Sequence, residues 1–240
     1  YGTYYLRVNI QNAPFNNKLV RKALSLSIDR KEIVTKVTKG GQDPAFSFTP
    51  PDPNSYFPPT SLDYDPELAQ KFLFDAGYTE GTFPPFEFLY NTSELHQKFA
   101  QALQQMWKKN LNIEMILTNT DWKVYLSRQS IGDYSIARAG WIGDYVDPKT
   151  FLDMMVTGRG NNQTGWSNNE YDTYLDLAAQ SLSQTERFKN LYKAEEILMD
   201  ELPIIPIYTY TRIYMLHSDV VGWNPNLLDT HPYQFVYLKR

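Results

Sequence analysis

Residues 86–117 read FEFLYNTSELHQKFAQALQQMWKKNLNIEMIL. The opening FEFLY (86–90) and closing IEMIL (113–117) are bulky, largely apolar runs, and each reads as a strand. Between them Leu95, Phe99, Leu103 and Met106 recur at helical spacing, which predicts an amphipathic helix over 94–109. A strand, a helix and a strand in one short stretch set an alternating α and β pattern, and the rest of the chain repeats it.

Toward the N-terminus, DPELAQKFLFDAGY (65–78) is a helix that Asp65 caps, Pro66 opens and Gly77 ends. Residues 2–10 alternate as a strand. NAPFNNKLVRKALSLSIDR (12–30) places Phe15, Leu19, Val20, Ala23, Leu24 and Ile28 on one helical face, and Asp29 with Glu32 forms a capping box for a short helix that Gly40 and Gly41 stop. The proline-rich stretch 42–64 is expected to be an ordered loop that buries Phe46, Phe48, Tyr56 and Phe57. Toward the C-terminus, Asp121 starts a helix of about two turns, and YSIAR (134–138) is a strand. Helices follow at 148–156, at 168–182 with Ser167 and Glu170 as its capping box, and at 184–200 behind Ser183 and Glu186. Residues 204–216 are strand-rich, and Pro206 inside them favours an edge, a bulge or a change of sheet. The tail is irregular until YQFVYL (233–238). There is no internal repeat. The pattern is that of an α/β or α+β domain.

The 240 residues suffice for a real hydrophobic core. Net charge is −4 and no basic run occurs, which argues against nucleic acid as a partner. No apolar run approaches the ~18 residues of a membrane span. No signal peptide is visible, and Tyr1 is not a start residue, so we expect that residues preceding it were removed or not included. With no cysteine, thiolate chemistry and Cys-ligated metal are excluded. His96, His217 and His231 are far apart, so no metal site and no cofactor are expected. Aromatic content is 15%, with 18 tyrosines, a composition suited to clefts and interfaces.

Nucleophile elbows, phosphate loops and dinucleotide fingerprints are missing. GRGNN (158–162) reads as a turn. Glu195 and Glu196 read as a solvated pair on a helix. The segment ARAGWIGDYVDP (137–148) is different, because it sets Trp141, Asp144, Tyr145 and Asp147 in a short glycine-punctuated stretch. Asp147 precedes Pro148 and reads as a helix cap. Asp144 follows Gly143, where the backbone can turn sharply; it either makes a local turn or presents a carboxylate to an ammonium. Trp141 is core filler or cleft wall. Arg138 is a buried ion-pair partner or a carboxylate receptor. His96 reads as a satisfied, half-buried histidine.

These landmarks together resemble one family. PFNNKLVRKALSLSIDRKEIV (14–34), FTPP (48–51), DPELAQKFLFDAGY, LYNTSELHQKFAQALQQMWKKNLNI (89–113), ARAGWIGDYVDPKTFL (137–152) and YKAEEILMDELPIIPIYTYTRIYML (192–216) are similar to the C-terminal half of oligopeptide-binding proteins, the family 5 extracytoplasmic solute receptors of peptide ABC importers. The resemblance runs over essentially the whole chain. It implies the second lobe of a periplasmic-binding-protein type II clamshell, a mixed sheet flanked by helices. It also implies a peptide-binding lobe over 1–209 and a tail over 210–240 that packs on an N-terminal lobe absent from this chain, leaving apolar edge exposed without it. It implies that Asp144 receives the ligand α-ammonium and that Arg138 and His96 reach the cleft, toward a C-terminal carboxylate or a ligand side chain. Trp141 and Tyr210 then line the cleft, and Gly140 and Ile142 complete the ligand-binding set. Arg128 falls one position out of register with an arginine of close relatives, and no role is carried over to it. The implied partners are an oligopeptide, the missing lobe and a membrane permease, outside the cytoplasm, with membrane tethering through residues before Tyr1. Rival readings are a same-fold receptor for an oligosaccharide, haem or metal chelate, a hydrolase using Asp144 and Asp147, and a structural module.

Overall fold

In the computed structural model, which describes residues 1–52 and 55–239, a six-stranded mixed sheet separates two helical layers. The strands are β1 (Gly2–Val8), β2 (Asp43–Pro44), β3 (Phe86–Asn91), β4 (Met115–Thr120), β5 (Ile136–Ile142) and β6 (Ile204–Thr209), in the order β2-β6-β1-β5-β3-β4. β3 runs parallel to β4 and β5, while β1 runs antiparallel to β5 and β6. The helices are α1 (Lys18–Leu26), α2 (Arg30–Glu32, continued by a π-turn over Ile33–Thr38), α3 (Pro66–Asp75), α4 (Glu94–Leu111), α5 (Trp122–Ser130), α6 (Lys149–Leu152), α7 (Asn169–Gln180) and α8 (Gln184–Glu201).

Strand alternation divides the core. Tyr4, Leu6 and Val8 of β1 point with Phe88 and Ile136 to the face covered by α1, α3 and α4, where Leu24, Phe99 and Trp107 are buried. Tyr5 and Ala139 point to the other face, packed by Phe48 and by Phe151, Tyr171 and Leu198 of α6–α8. A third cluster joins Leu89 and Ala137 to Tyr125 of α5 and to Tyr134.

Most caps form as expected: the Asp29, Asp65, Asp121 and Ser183 side chains accept amides of their own first turns. α7 differs. Its cap is Asn168, not Ser167, because the Asn168 amide oxygen reaches both the Glu170 and Tyr171 amides while Glu201 holds its other end. α1 starts only at Lys18, where Asn17 accepts from Leu19. β5 starts and ends two to four residues later than 134–138, since Tyr134 turns aside to donate to the Gln163 carbonyl while Trp141 and Ile142 pair with Thr3 and Gly2. Of the outcomes open to Pro206 the structure shows a bulge, a register shift between Tyr4 and Tyr5 opposite Tyr208 and Pro206.

Three further expectations fail. In the 42–64 loop, whose residues 53 and 54 lie outside the described residues, Phe48 and Tyr56 are buried, but Phe57 is 66% exposed. β6 stops at Thr209 rather than 216, because beyond one further bond from Tyr210 to the Gly2 carbonyl no strand among the described residues lies alongside it; Met215 is fully exposed. Glu195 is not solvated: it is completely buried, accepting from the Thr49 amide at 2.7 Å and the Tyr56 hydroxyl at 3.0 Å. The tail after Thr209 forms a two-stranded ribbon, β7 (Val220–Val221) with β8 (Tyr237–Leu238), around a Trp223–His231 stack. Tyr233, Phe235 and Tyr237 stand exposed on it.

Candidate functional site

The parallel strands β3, β4 and β5 all end at one edge of the domain, at Asn91, Thr120 and Ile142, beside the start of β1. In open α/β sheets this carboxyl edge is where ligands lie. A larger hollow, about 540 Å³ between α3 and the end of α4, sits at the amino end of β4 instead.

β5 outruns its neighbour. It pairs with β3 only through Ile136 and Ala137, yet continues along β1 to Ile142. The side on which its free groups point follows from strand period. The Gly143 amide donates to the Tyr1 carbonyl, so odd-numbered main-chain groups face β1. The Arg138 carbonyl faces the other way, accepting from the Tyr125 hydroxyl of α5. Gly140 and Ile142 share that direction, and no strand pairs with them there among the described residues.

On the α4 face of this edge, the Arg138 Nε donates to Asn91 Oδ1 at 2.8 Å. Its guanidinium carbon lies 5.3 Å from the Tyr125 ring centroid, 5.8 Å from Trp122 and 6.0 Å from Tyr4. Aromatic faces stabilise the cation without neutralising it. No carboxylate pairs with Arg138 among the described residues, so the ion-pair reading of this residue is not realised. The His96 Nδ1 is 3.4 Å from the Tyr4 hydroxyl. Burial, reinforced by Arg138, pushes the His96 pKa down to about 4, so the ring is neutral at pH 7 and acts as a hydrogen-bonding group rather than a cation. Tyr210 packs edge-on against Tyr4 and Tyr208, and burial pushes its hydroxyl up to about 12. Its hydroxyl lies over Gly140, where a Cβ would sit 2.2 Å away. Glycine at 140 thus lets Tyr210 close onto the strand.

On the opposite face, Trp141 is half-buried and Asp144 exposed. The Thr150 hydroxyl accepts from Trp141 Nε1 at 3.4 Å and from the Asp144 amide at 3.2 Å, fixing the loop to α6. Gly143 is required by crowding: a Cβ would lie 2.9 Å from the Tyr1 ring and 3.0 Å from Thr150 Cγ2. The Asp144 carboxylate has no hydrogen bond or ion pair among the described residues, and it lines a pocket of about 310 Å³ with Trp141, Tyr145, Arg159 and Asn161. Ile142 projects from the strand end, 55% exposed. The structure therefore gathers all seven expected residues at one edge, but on two faces: Arg138, His96, Tyr210 and Gly140 on one, Trp141 and Asp144 on the other, Ile142 at the rim.

Asp147 is committed elsewhere. Its Oδ1 accepts from the Lys149 amide at 2.9 Å, and Arg187 grips both oxygens at 2.7 and 2.8 Å. A carboxylate so held is a poor partner for acid–base chemistry with Asp144. The residue that caps α6 is Pro148 rather than Asp147, yet Asp147→Ala still removes the acceptor of the Lys149 amide and strands the partly buried Arg187 guanidinium. It is expected to cost about 2 kcal/mol, seen as a drop of roughly 4–8 °C in the thermal midpoint; an unchanged midpoint would count against the pair as a staple. Arg128 is likewise structural, bidentate to Glu87 at 2.7 and 2.9 Å and bound to Asp133.

Against this geometry the comparisons with known proteins can be set. The model for bacterial extracellular solute-binding proteins, family 5 (middle region), matches residues 1–163. The chain belongs to this family. Among family relatives, the oligopeptide-binding protein OppA of Bacillus subtilis is 37% identical over 230 residues, covering 92% of this chain and 42% of OppA. The periplasmic murein peptide-binding protein MppA of Escherichia coli is 38% identical, covering 94% of this chain and 43% of MppA. The crystal structure of Haemophilus influenzae OppA in complex with RPPGFSPFR superposes with a TM-score of 0.88 at 34% identity, covering all of this chain and 48% of that one. The chain thus spans under half the length of these relatives, and it has the fold of the corresponding part of the family 5 receptors. The family is one of solute-binding proteins, not of enzymes.

Proposed function

We propose that these residues form the peptide-holding lobe of an extracytoplasmic receptor that delivers oligopeptides to an ABC importer. The observation that carries this reading is the open edge of β5 at Gly140 and Ile142, flanked by two charges of opposite sign that have no ionic partner within the described residues, Asp144 and Arg138. An extended peptide adds to such an edge through its main chain, which is indifferent to sequence. Its α-ammonium meets Asp144. Its C-terminal carboxylate, or an acidic side chain, meets the Arg138 guanidinium, with neutral His96 beside it. Trp141 and Tyr210 wall the groove on its two faces. The apolar tail after Thr209 packs on the receptor's other lobe, and closure of the two lobes over the peptide is the signal read by the permease. No helix among the described residues is long and apolar enough to cross a membrane.

Native mass spectrometry of the full-length protein with its co-purified ligand tests the reading. A ladder of masses that fragment as short peptides is expected. A single non-peptide mass would transfer the same fold to another solute, and release of a cleaved product would revive the hydrolase reading.

A further inference from the structure

Arg7 lies near the end of β1, opposite Ala137 of β5 and on the Trp141 face of the sheet, and is 7% exposed. A guanidinium keeps its charge at any physiological pH. Burying it costs several kcal/mol unless a counter-charge is supplied. Four other arginines of this fold have a settled role. Arg128 and Arg187 grip carboxylates, and Arg21 and Arg30 tie main-chain carbonyls between helices and the chain around β6. Arg7 grips no carboxylate among the described residues, and its one main-chain acceptor, the Asn161 carbonyl, lies at the long distance of 3.5 Å. Its acceptors are all neutral: Gln129 Oε1 at 3.3 Å, the Tyr5 hydroxyl at 3.1 Å, the Asn161 carbonyl at 3.5 Å and the Gln163 side chain. No carboxylate lies within ion-pair distance among the described residues.

Two features place this charge beside the groove. Gln129, which accepts from Arg7, donates through Nε2 to the Arg138 carbonyl at 3.3 Å and to the Tyr125 hydroxyl at 2.7 Å, so a single amide separates Arg7 from the Arg138 carbonyl, two residues before the first open group of β5. On its other side Arg7 is covered by the loop between Gly158 and Gly165, whose Asn161 is exposed and lines the Asp144 pocket. A strand laid along β5 points alternate side chains to the two faces of the sheet. Those on one face pass Arg138; those on the other pass Gln129 and Arg7.

We infer that Arg7 is a specificity residue that makes the receptor prefer an acidic side chain at one ligand position, the one directed to the Trp141 face beside Gln129. The inference rests on the peptide reading above. A carboxylate at that position takes over from Gln163 and the Asn161 carbonyl as acceptor for Arg7. It replaces two neutral acceptors by an anionic one, so that the buried cation gains the counter-charge it lacks. The position is single because its immediate neighbours face the other way and the next side chain on the same face lies about 7 Å further along the strand.

The test uses the full-length protein and tetra-alanine, scanned with Glu and with Gln at each position, read by calorimetry. The Glu-to-Gln affinity ratio is expected to reach about tenfold or more, corresponding to 1.4 kcal/mol, at one position only. Arg7→Gln brings that ratio to one. Gln129→Glu gives Arg7 an internal carboxylate and also brings the ratio to one while retaining Arg7. Gln163→Ala removes a competing acceptor and raises it. The last two variants move the ratio in opposite directions, so they decide the matter even if Arg7→Gln does not fold. A ratio of one at every position with tetra-alanine still bound overturns this inference alone, as does a ratio that Gln129→Glu leaves unchanged. Failure of the wild type to bind any of the peptides overturns the peptide reading and this inference with it.

Discussion

In the full-length protein, Asp144→Asn is expected to weaken free peptides by about 2–5 kcal/mol, on the order of 30- to several-thousand-fold, and to weaken their N-acetylated forms much less. The carboxylate has no internal partner among the described residues, whereas the Asp144 amide is held by Thr150. The substitution therefore removes charge without releasing the loop. The size of the effect depends on burial. In the 240-residue chain Asp144 is exposed, and an ion pair formed there in water is worth about 0–1 kcal/mol. The large figure requires a second lobe that closes over the site and dries it. Calorimetry on both proteins, each with one peptide and its N-acetyl form, separates the possibilities. Equal losses for the free and acetylated peptides would show that Asp144 organises the loop rather than receiving an amine. An equal, large loss in the 240-residue chain would show that no closing lobe is needed.

What could be read from the sequence was whatever depends on neighbours along the chain. Periodicity and caps place α3, α4 and α8 to within a residue or two, because Asp65, Ser183 and the apolar stripe of α4 act within one or two turns. The resemblance supplied the candidate site residues, and the structure brings them to one edge. What escaped depends on distant pairing. β5 reaches Ile142 because β1 lies beside it, and nothing local to residues 139–142 says so. Glu195 shows the conflict directly. Leu191, Ala194 and Leu198 mark the buried stripe of α8, and Glu195 falls on it by spacing, but its charge argued for solvent. The donors that satisfy it come from Thr49 and Tyr56, in a loop far away in sequence. The signal for Arg7 was a charged residue inside an otherwise apolar strand, GTYYLRV, yet its partners Gln129 and Gln163 could be known only after folding.

Glu195 also governs how stability responds to pH, and the expected effect is large. Burial pushes its carboxyl from the ordinary 4.5 up to about 7, against the Thr49 and Tyr56 hydrogen bonds that favour the charged form. The folded protein keeps this proton where the unfolded chain has lost it. The stabilisation is complete below pH 4.5 and is lost as pH rises through 7, a swing of about 3 kcal/mol. His96 works in the opposite sense. Its pKa is pushed down from 6.5 to about 4, so its contribution is complete above 6.5 and is lost as pH falls to 4. Between pH 4.5 and 6.5 the two slopes oppose each other, and the wild type is expected to vary little. Single variants expose each slope. Glu195→Gln keeps the volume of the side chain and removes the titration, so its stability should rise with pH across that window. In His96→Gln stability should fall with pH instead. Asp200 and the other carboxyls whose pKa values are lowered titrate alike in all three proteins and cancel in the differences. Urea unfolding at a series of pH values from 4.5 to 8 measures the curves. If the Glu195→Gln and wild-type curves run parallel, the Glu195 carboxyl has the same pKa folded and unfolded, and the Thr49 and Tyr56 hydrogen bonds fully offset its burial.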